Sequence, residues 1–341
     1  MSILVTGGSG YIGSQVVLDL LKSGRSVVVL DNLSTGHAQA LQSIKKLVSS
    51  RENEPGFRFY YGDTRNGKLV TSIMVKERVS AVVHLAAYSQ VGESMQNPGK
   101  YFDNNLSGTV SVLDCMVRAE VKHIVFSSTA AVYGEPEHTP IGEDHPTRPT
   151  NVYGASKLMV EEILSWYDQV YGLKHIALRY FNAAGADASG TIGEHHQPET
   201  HLIPLVLGAA TGIHDRLTIY GDDYLTPDGT CVRDYIHVSD LAAAHMAALN
   251  GLEQGRPSGS FNLGNGSGYS VKDVIKAATR VTGLEVPFSF GRRRAGDPAV
   301  LVADANKVKN ELGWSVKDQD LESIIASAWA WHKSHPHGYI K

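Results

Sequence analysis

Cysteine is nearly missing: the chain has two in 341 residues, Cys115 and Cys231. They stand far apart and in no C-x-x-C spacing, which excludes a disulfide framework, a thiolate zinc site and a dithiol redox motif. Two packed, apolar cysteines in a reducing compartment are expected. Strong charge of one sign is missing too. The net charge of -4, with histidine neutral, leaves no electrostatic footprint for nucleic acid. No hydrophobic run is long enough for a bilayer. The most apolar stretch, Leu241–Leu249, is short and contains His245. The N-terminus enters Ile3-Leu4-Val5 with no basic segment or long apolar run, so no secretory signal or membrane contact is expected and the chain reads as cytoplasmic. Low-complexity segments and solenoid repeats are absent. What is left, 42% hydrophobic and 19% charged, is the composition of an ordinary globular protein with a sizeable core.

Short apolar runs alternate with amphipathic segments through the first half. Strands are expected at Ile3–Thr6, Val27–Leu30, Phe57–Tyr61, Ala81–Ala86, His123–Phe126 and Ile176–Tyr180. Helices are expected at Ile12–Lys22, Thr109–Ala119 and Tyr153–Tyr171. In the first helix Ile12, Val16 and Leu20 recur every four residues, and Gly24 follows as a stop. Apolar strands without alternation imply burial on both faces, hence a parallel sheet covered by helices. After Phe181-Asn182 long Gly-, Pro-, His- and Asp-rich loops set in, such as Gly190–Thr200 and Gly221–Gly229. Loops of that length in a compact domain are usually functional. A boundary is placed there: residues 1–181 as one domain and 182–341 as a smaller C-terminal α/β domain for substrate. Segments near 233–265, with a helix over Ser239–Asn250 and an apolar run Phe261–Gly264, are expected to return to the first.

Gly7, Gly10 and Gly13 lie between the first strand and the first helix in the spacing G-x-x-G-x-x-G. Glycines there permit a tight turn and let backbone N–H groups approach a pyrophosphate, which the helix N-terminus favours. Asp31 ends the second strand about 18 residues after Gly13, where a carboxylate binds the adenosine ribose and repels a 2′-phosphate. The pattern predicts a Rossmann-type doubly wound parallel sheet that binds NAD. Asp63 ends the third strand on the same sheet edge. Tyr153 and Lys157 fall four apart on one helix, so phenol and ammonium share a face. A cation there is expected to lower the phenol pKa and to make a general base for a sugar or alcohol hydroxyl. The hydroxyls of Ser127-Ser128-Thr129 follow a strand end and are expected to face the ligand crevice. Arg233 and the run Arg292-Arg293-Arg294 suit a diphosphate, since two arginines from separate segments bracket it. Glu194-His195-His196 has no further ligand at helical spacing and reads as a solvent-facing loop, so no metal is expected.

These residues, together with Val91-Gly92-Glu93-Ser94, Asp103-Asn104-Asn105, Arg179–Asn182, Gly229–Val238 and the run 293–297, resemble the extended short-chain dehydrogenase/reductase superfamily over essentially the whole chain. More closely they resemble its UDP-galactose/UDP-glucose 4-epimerases. That resemblance implies NAD-dependent interconversion of two UDP-hexoses by hydride abstraction at C4, rotation of the 4-keto sugar and hydride return. It implies Tyr153 as base, Thr129 as the hydroxyl on the sugar O4, and Lys157 as the holder of the nicotinamide ribose. Cofactor contacts implied beyond the glycines are Tyr11, Ile12, Asp31, Asn32, Ser34, Asp63, Thr64, Leu85, Ala86, Ala87, Asn104, Ser127, Tyr180 and Phe181. UDP-sugar contacts implied are Ser89, Asn182, His201, Leu202, Tyr220, Arg233, Tyr235, Arg294, Asp297 and Leu301. A homodimer through the helices Thr109–Ala119 and Tyr153–Tyr171 is implied as well. Thr129 stands where many members have Ser. Ser89 stands where some have Lys, and His201 where Asn is frequent. Leu301 falls at a gate whose size varies. The rivals are UDP-N-acetylhexosamine or UDP-pentose 4-epimerases and, from another class, a catalytically silent NAD-binding sensor or scaffold. A 4,6-dehydratase is disfavoured because Ala130-Ala131 replaces the acid/base pair it needs.

Overall fold

In the computed structural model, which describes residues 1–48, 56–294, 297–317 and 320–339, the first half runs as the sequence pattern predicts. In chain order come β1 (Ser2–Thr6), α1 (Tyr11–Lys22), β2 (Ser26–Asp31), α2 (Ala38–Val48), β3 (Phe57–Tyr61), α3 (Gly67–Lys76) and β4 (Val79–His84). Short helices α4 (Val91–Gln96) and α5 (Pro98–Tyr101) lead through a π-helical turn, Phe102–Ser107, into α6 (Gly108–Arg118). Then follow β5 (His123–Thr129), α7 (Val152–Tyr171) and β6 (Lys174–Tyr180).

The alternation of side chains along each strand explains the sheet. Ile3 and Val5 face one core with Val27, Val29, Ala81, Val83 and Val125. Leu4 faces the other with Val28, Leu30, Val82, Ile124 and Phe126. Both faces are apolar, so both must be covered, and a parallel sheet with helices on each side does this. The strand order is β10-β6-β5-β4-β1-β2-β3, with every pairing parallel. The order reverses between β1 and β4, and ligands of such sheets bind beyond the strand ends at that point. Two expectations are corrected. The β4 strand stops at His84, and Leu85–Ala87 leave it as a lip. The β3 strand is a sheet edge and is not buried on both faces: Tyr61 is 70% exposed.

The second half contributes β7 (Asn182–Ala184), α8 (Leu202–Ala210), β8 (Leu217–Tyr220), β9 (Val232–His237), α9 (Val238–Glu253), β10 (Gly259–Leu263), β11 (Gly268–Ser270), α10 (Val271–Thr282), β12 (Phe288–Gly291), β13 (Val300–Leu301), α11 (Asn306–Leu312) and α12 (Leu321–Ser334). Here β10 joins the main sheet beside β6, and α9 buries Leu241, Ala244 and Ala248 in the core that α1 lines. The rest forms a separate apolar cluster built largely of α8, α10 and α12 residues, among them the buried Ile203, Val274 and Ile324. A small sheet, in which β9 pairs with β7, β11 and β13, runs between the two.

Candidate active site

The glycine loop is shaped by close backbone approach. A Cβ on Gly7 would stand 2.7 Å from the Ala86 amide nitrogen, and one on Gly13 would stand 2.1 Å from the Gly7 carbonyl oxygen. The loop therefore lies against the Leu85–Ala87 lip. Gly10 caps α1 without a side-chain hydrogen bond, so the first-turn N–H groups of Tyr11, Ile12 and Gly13 keep their capacity for an anion. Ser9 Oγ is buried without a hydrogen-bond partner. Asp31 accepts from the Ser9 amide at 3.0 Å and the Leu33 amide at 2.8 Å, one bond on each oxygen, and a carboxylate can accept more. An uncapped helix start, an orphaned hydroxyl and an acceptor at the end of β2 fit a dinucleotide pyrophosphate and ribose.

Beside this cradle, Asn32 donates to Asp63 at 3.0 Å and its side-chain oxygen holds the Ser34 amide. Asp63 takes a forked pair of bonds from Arg65 at 2.7 and 2.8 Å. These bonds hold its carboxyl far below the usual range. Arg65 also meets Asp103, and no local sequence pattern marks it. Thr64 packs against Gly108, where a Cβ would stand 2.8 Å from its hydroxyl. Asn104 lies in the π-helical turn and donates to Asn105 at 3.0 Å, while Asn105 clamps both backbone groups of Tyr88. Such turns are frequent at functional sites. Ser89 is exposed, and Lys100, which follows it in sequence, is paired with Glu93 and the Tyr88 ring.

Gly154 brings Tyr153 and Lys157 to the strand end. A Cβ there would lie 2.4 Å from the Ala131 carbonyl oxygen, so only glycine lets the first turn of α7 touch the turn after β5. Asn151 caps that turn through the Gly154 amide at 2.8 Å. Lys157 is buried; it donates to the Ser127 carbonyl at 2.7 Å and lies 6.0 Å from the centre of the Tyr153 ring. Tyr153 hydrogen-bonds Thr129, whose Oγ1 also accepts from the Ala131 amide at 3.1 Å. The three predicted groups are thus brought together.

Their electrostatics correct the sequence expectation. Loss of hydration pushes the Tyr153 phenol up, and the Thr129 hydrogen bond draws it back only in part. Burial pushes Lys157 down to about 7, against the pull of the Glu161 carboxylate. Spacing correctly places the two groups on one face, but desolvation of both outweighs their mutual effect. Ser128 is a second correction. Its hydroxyl turns away from the crevice to Glu161, which pairs with Arg179 at 2.6 Å inside the protein. Arg179 continues to the Tyr133 hydroxyl at 2.8 Å, and that hydroxyl donates to Asn262 at 2.6 Å. This buried network lies beneath the site and was invisible in the sequence, since its members are far apart along the chain.

Tyr180 also lies inward, with its hydroxyl on His245 and Ser127. Phe181 joins Ala130, Val132 and Tyr133 in a small cluster against which Leu301 packs. In the small sheet Asn182 is paired with Tyr235, and Leu301 with Arg233. Arg233 meets Asp297, the Asp297 amide bonds the Arg294 carbonyl at 3.3 Å, and the Arg294 guanidinium lies 4.0 Å over the Tyr220 ring. The two predicted arginines therefore converge on one corner, while Arg292 is exposed. Gly296, in the same motif, lies outside the described residues. Leu202 opens α8, with His201 at its cap.

The Glu194-His195-His196 segment departs from expectation. Glu194 is only 4% exposed, so it does not face solvent. His201 bonds it, and His196 lies between Glu194 and Glu199 at 3.5 and 3.4 Å. His195 turns away to His37 at 3.1 Å. Helical spacing is the wrong rule for these ligands, because they lie on a folded loop.

Residues 3–264 match the model of the NAD dependent epimerase/dehydratase family. The chain is 52% identical to the UDP-glucose 4-epimerase of Halalkalibacterium halodurans, over 99% of this chain and 98% of that one. A crystal structure of a UDP-glucose 4-epimerase, 48% identical, superposes over all of both chains with a TM-score of 0.93. The enzyme of Bifidobacterium longum, solved in complex with NAD+ and UDP, is 39% identical, covers 99% of this chain and 100% of that chain, and has a TM-score of 0.92. This chain belongs to the NAD-dependent epimerase/dehydratase family, among the UDP-glucose 4-epimerases.

Proposed function

We propose that the protein interconverts UDP-galactose and UDP-glucose with NAD as a resident cofactor. The observation that carries this is the convergence of Thr129, Tyr153 and Lys157 at the end of β5, next to a glycine cradle open to a pyrophosphate. Residues 1–181, with the returning segments near 233–265, form the cofactor domain, and 182–341 the UDP-sugar domain. Gly7, Gly10, Gly13, Tyr11 and Ile12 hold the pyrophosphate by their amides. Asp31 takes the adenosine ribose, with Asn32, Ser34, Asp63 and Thr64 beside it. Leu85, Ala86, Ala87, Asn104, Ser127, Tyr180 and Phe181 line the remainder. Bound there, NAD+ supplies an acceptor and donor of hydride at C4 and a positive charge near the phenol.

Tyr153 takes the proton from the sugar O4 and returns it after the 4-keto sugar has turned over. Thr129 orients that oxygen, and Lys157 holds the ribose and the tyrosine's charge. Arg233 and Arg294, steadied by Asp297 and Tyr220, grip the diphosphate, while Asn182, Leu202, His201 and Tyr235 hold the nucleotide. Ser89 and Leu301 border the hexose, which must be held loosely enough to rotate. A firm grip on UDP and a loose one on the sugar divide the labour between the two halves of the site.

The protein works as a cytoplasmic homodimer through α6 and α7. Exposed Met159, Trp166 and Val170 on α7 recur at helical spacing and leave an apolar stripe to cover. The test is direct. Purified protein given UDP-galactose without added NAD should form UDP-glucose. Failure to turn over even with NAD supplied would favour the silent sensor. A panel with UDP-N-acetylglucosamine and UDP-xylose reads the sugar range.

A further inference from the structure

Outside the reacting groups, the loop between β7 and α8 gathers two histidines and two carboxylates. One donor atom each from Glu194, His196, Glu199 and His201 lies within 4.8 Å of the others. The individual separations are informative. His196 Nδ1 stands 3.5 Å from Glu194 Oε1 and 3.4 Å from Glu199 Oε2, and His201 Nδ1 stands 3.8 Å from Glu199 Oε1. A tetrahedron of N and O ligands at bonds of about 2.0–2.1 Å has edges of about 3.3 Å. His201 and Glu194 are closer than that, in direct contact, and would part slightly around an ion. A second observation points the same way. The Nδ1 atom of His196 is buried and has no hydrogen-bond partner, although it faces both carboxylates. A buried polar atom without a partner is rare and calls for an explanation. Two carboxylates, one of them inside the protein, also match the charge of a divalent cation.

We infer that Glu194, His196, Glu199 and His201 form a binding site for one divalent transition-metal cation of the zinc class. Imidazole with carboxylate suits zinc and its neighbours and not calcium or magnesium, which take oxygen ligands alone. The site is structural. Four protein ligands close the coordination sphere and leave no open position for catalysis. Its place gives it a task. The His196 ring meets the Tyr11 ring edge-on at 6.3 Å, and Tyr11 donates to the Gly185 carbonyl at 2.6 Å. His201 caps α8. An ion here ties the start of α8 to the loop that braces the beginning of α1, so the nucleotide end of the substrate site is fixed relative to the cofactor cradle.

The test strips the full-length protein with a strong chelator, titrates it with Zn2+ and counts the bound metal by mass spectrometry. About one tightly held zinc per chain is expected, with a rise in melting temperature. Co2+ in its place should give the visible absorption of a tetrahedral site. The double variant His196→Ala, Glu199→Ala should lose the stoichiometric ion, with affinity down at least about tenfold, and lose the melting-temperature response. Circular dichroism confirms that the variant is folded. Should it fail to fold, Glu199→Gln and the wild-type Co2+ spectrum carry the test. Equal zinc retention by wild type and a folded variant, or a Co2+ spectrum of octahedral form only, overturns the site. Metal content is read independently of epimerisation, so the two readings fail separately.

Discussion

At the scale of single residues, the proposed chemistry depends on a phenol whose surroundings oppose its ionisation. Burial lifts Tyr153 and depresses Lys157, and a charged Lys157, 6.0 Å from the centre of the Tyr153 ring, favours the phenolate against that burial. Tyr153→Phe should reduce turnover at least about a thousandfold while leaving NAD bound, because it removes the base and not the cradle. Near-wild-type rates would remove Tyr153 from the mechanism. Lys157→Met should move the acid limb of the pH–rate profile upward by about one unit or more in protein that still carries cofactor. An unmoved limb would mean that the ammonium only positions ribose. Tyr153, Lys157 and Thr129 were legible in the sequence because their signals are local: a four-residue helical spacing and a strand end. Their pKa values were not, since desolvation depends on everything packed around them. Leu301 tests the sugar pocket. Leu301→Tyr should penalise UDP-N-acetylglucosamine more than UDP-glucose, and equal effects would place the gate elsewhere.

At the scale of elements, α7 is the part that must be placed accurately, and two features place it. One is Gly154. Gly154→Ala would drive a methyl group into the Ala131 carbonyl, 2.4 Å away, and push the first turn off the Thr129 turn. Loss of kcat exceeding loss of stability is the expected outcome, measured by kinetics beside thermal melting. The other is the Glu161–Arg179 pair, one helical turn beyond Lys157 and buried with it. Removing one partner leaves an uncompensated buried charge, so Glu161→Gln should cost about 3 kcal/mol in chemical denaturation. A change below about 1 kcal/mol would show that the site is wetter than its burial implies. Elements of the first half were readable because their apolar period is strong. Several of the second half were not. The α8 segment is apolar almost throughout and contains Pro204, so it shows no stripe. The α10 helix does carry a local signal: Ser270 and Asp273 form a capping box, and Gly283 ends the helix.

At the scale of the whole molecule, stability in acid is set by buried histidines. His84 bridges Thr6 at 2.7 Å and Thr109 at 2.9 Å, tying the end of β1 to α6. His245 joins α9 to Tyr180. Burial holds them at about 3 and about 4, against an ordinary 6.5. Below 6.5 the unfolded chain binds protons that the folded chain refuses, so stability falls as pH drops and levels off only near those lower values. For His245 the loss is about 3 kcal/mol. Melting temperature should therefore decline between about pH 6.5 and 4, less steeply in a folded His245→Gln variant. Parallel slopes would locate the acid sensitivity elsewhere. The sequence by itself determined the parallel sheet, the glycine cradle, Asp31 and the Tyr153–Lys157 pair, because each rests on periodicity or spacing within a few dozen residues. Only the tertiary structure decided which strand is the edge, how β10 returns to the sheet and where Ser128 points. Those outcomes depend on contacts between distant segments and on the water that packing removes, and no local pattern encodes either.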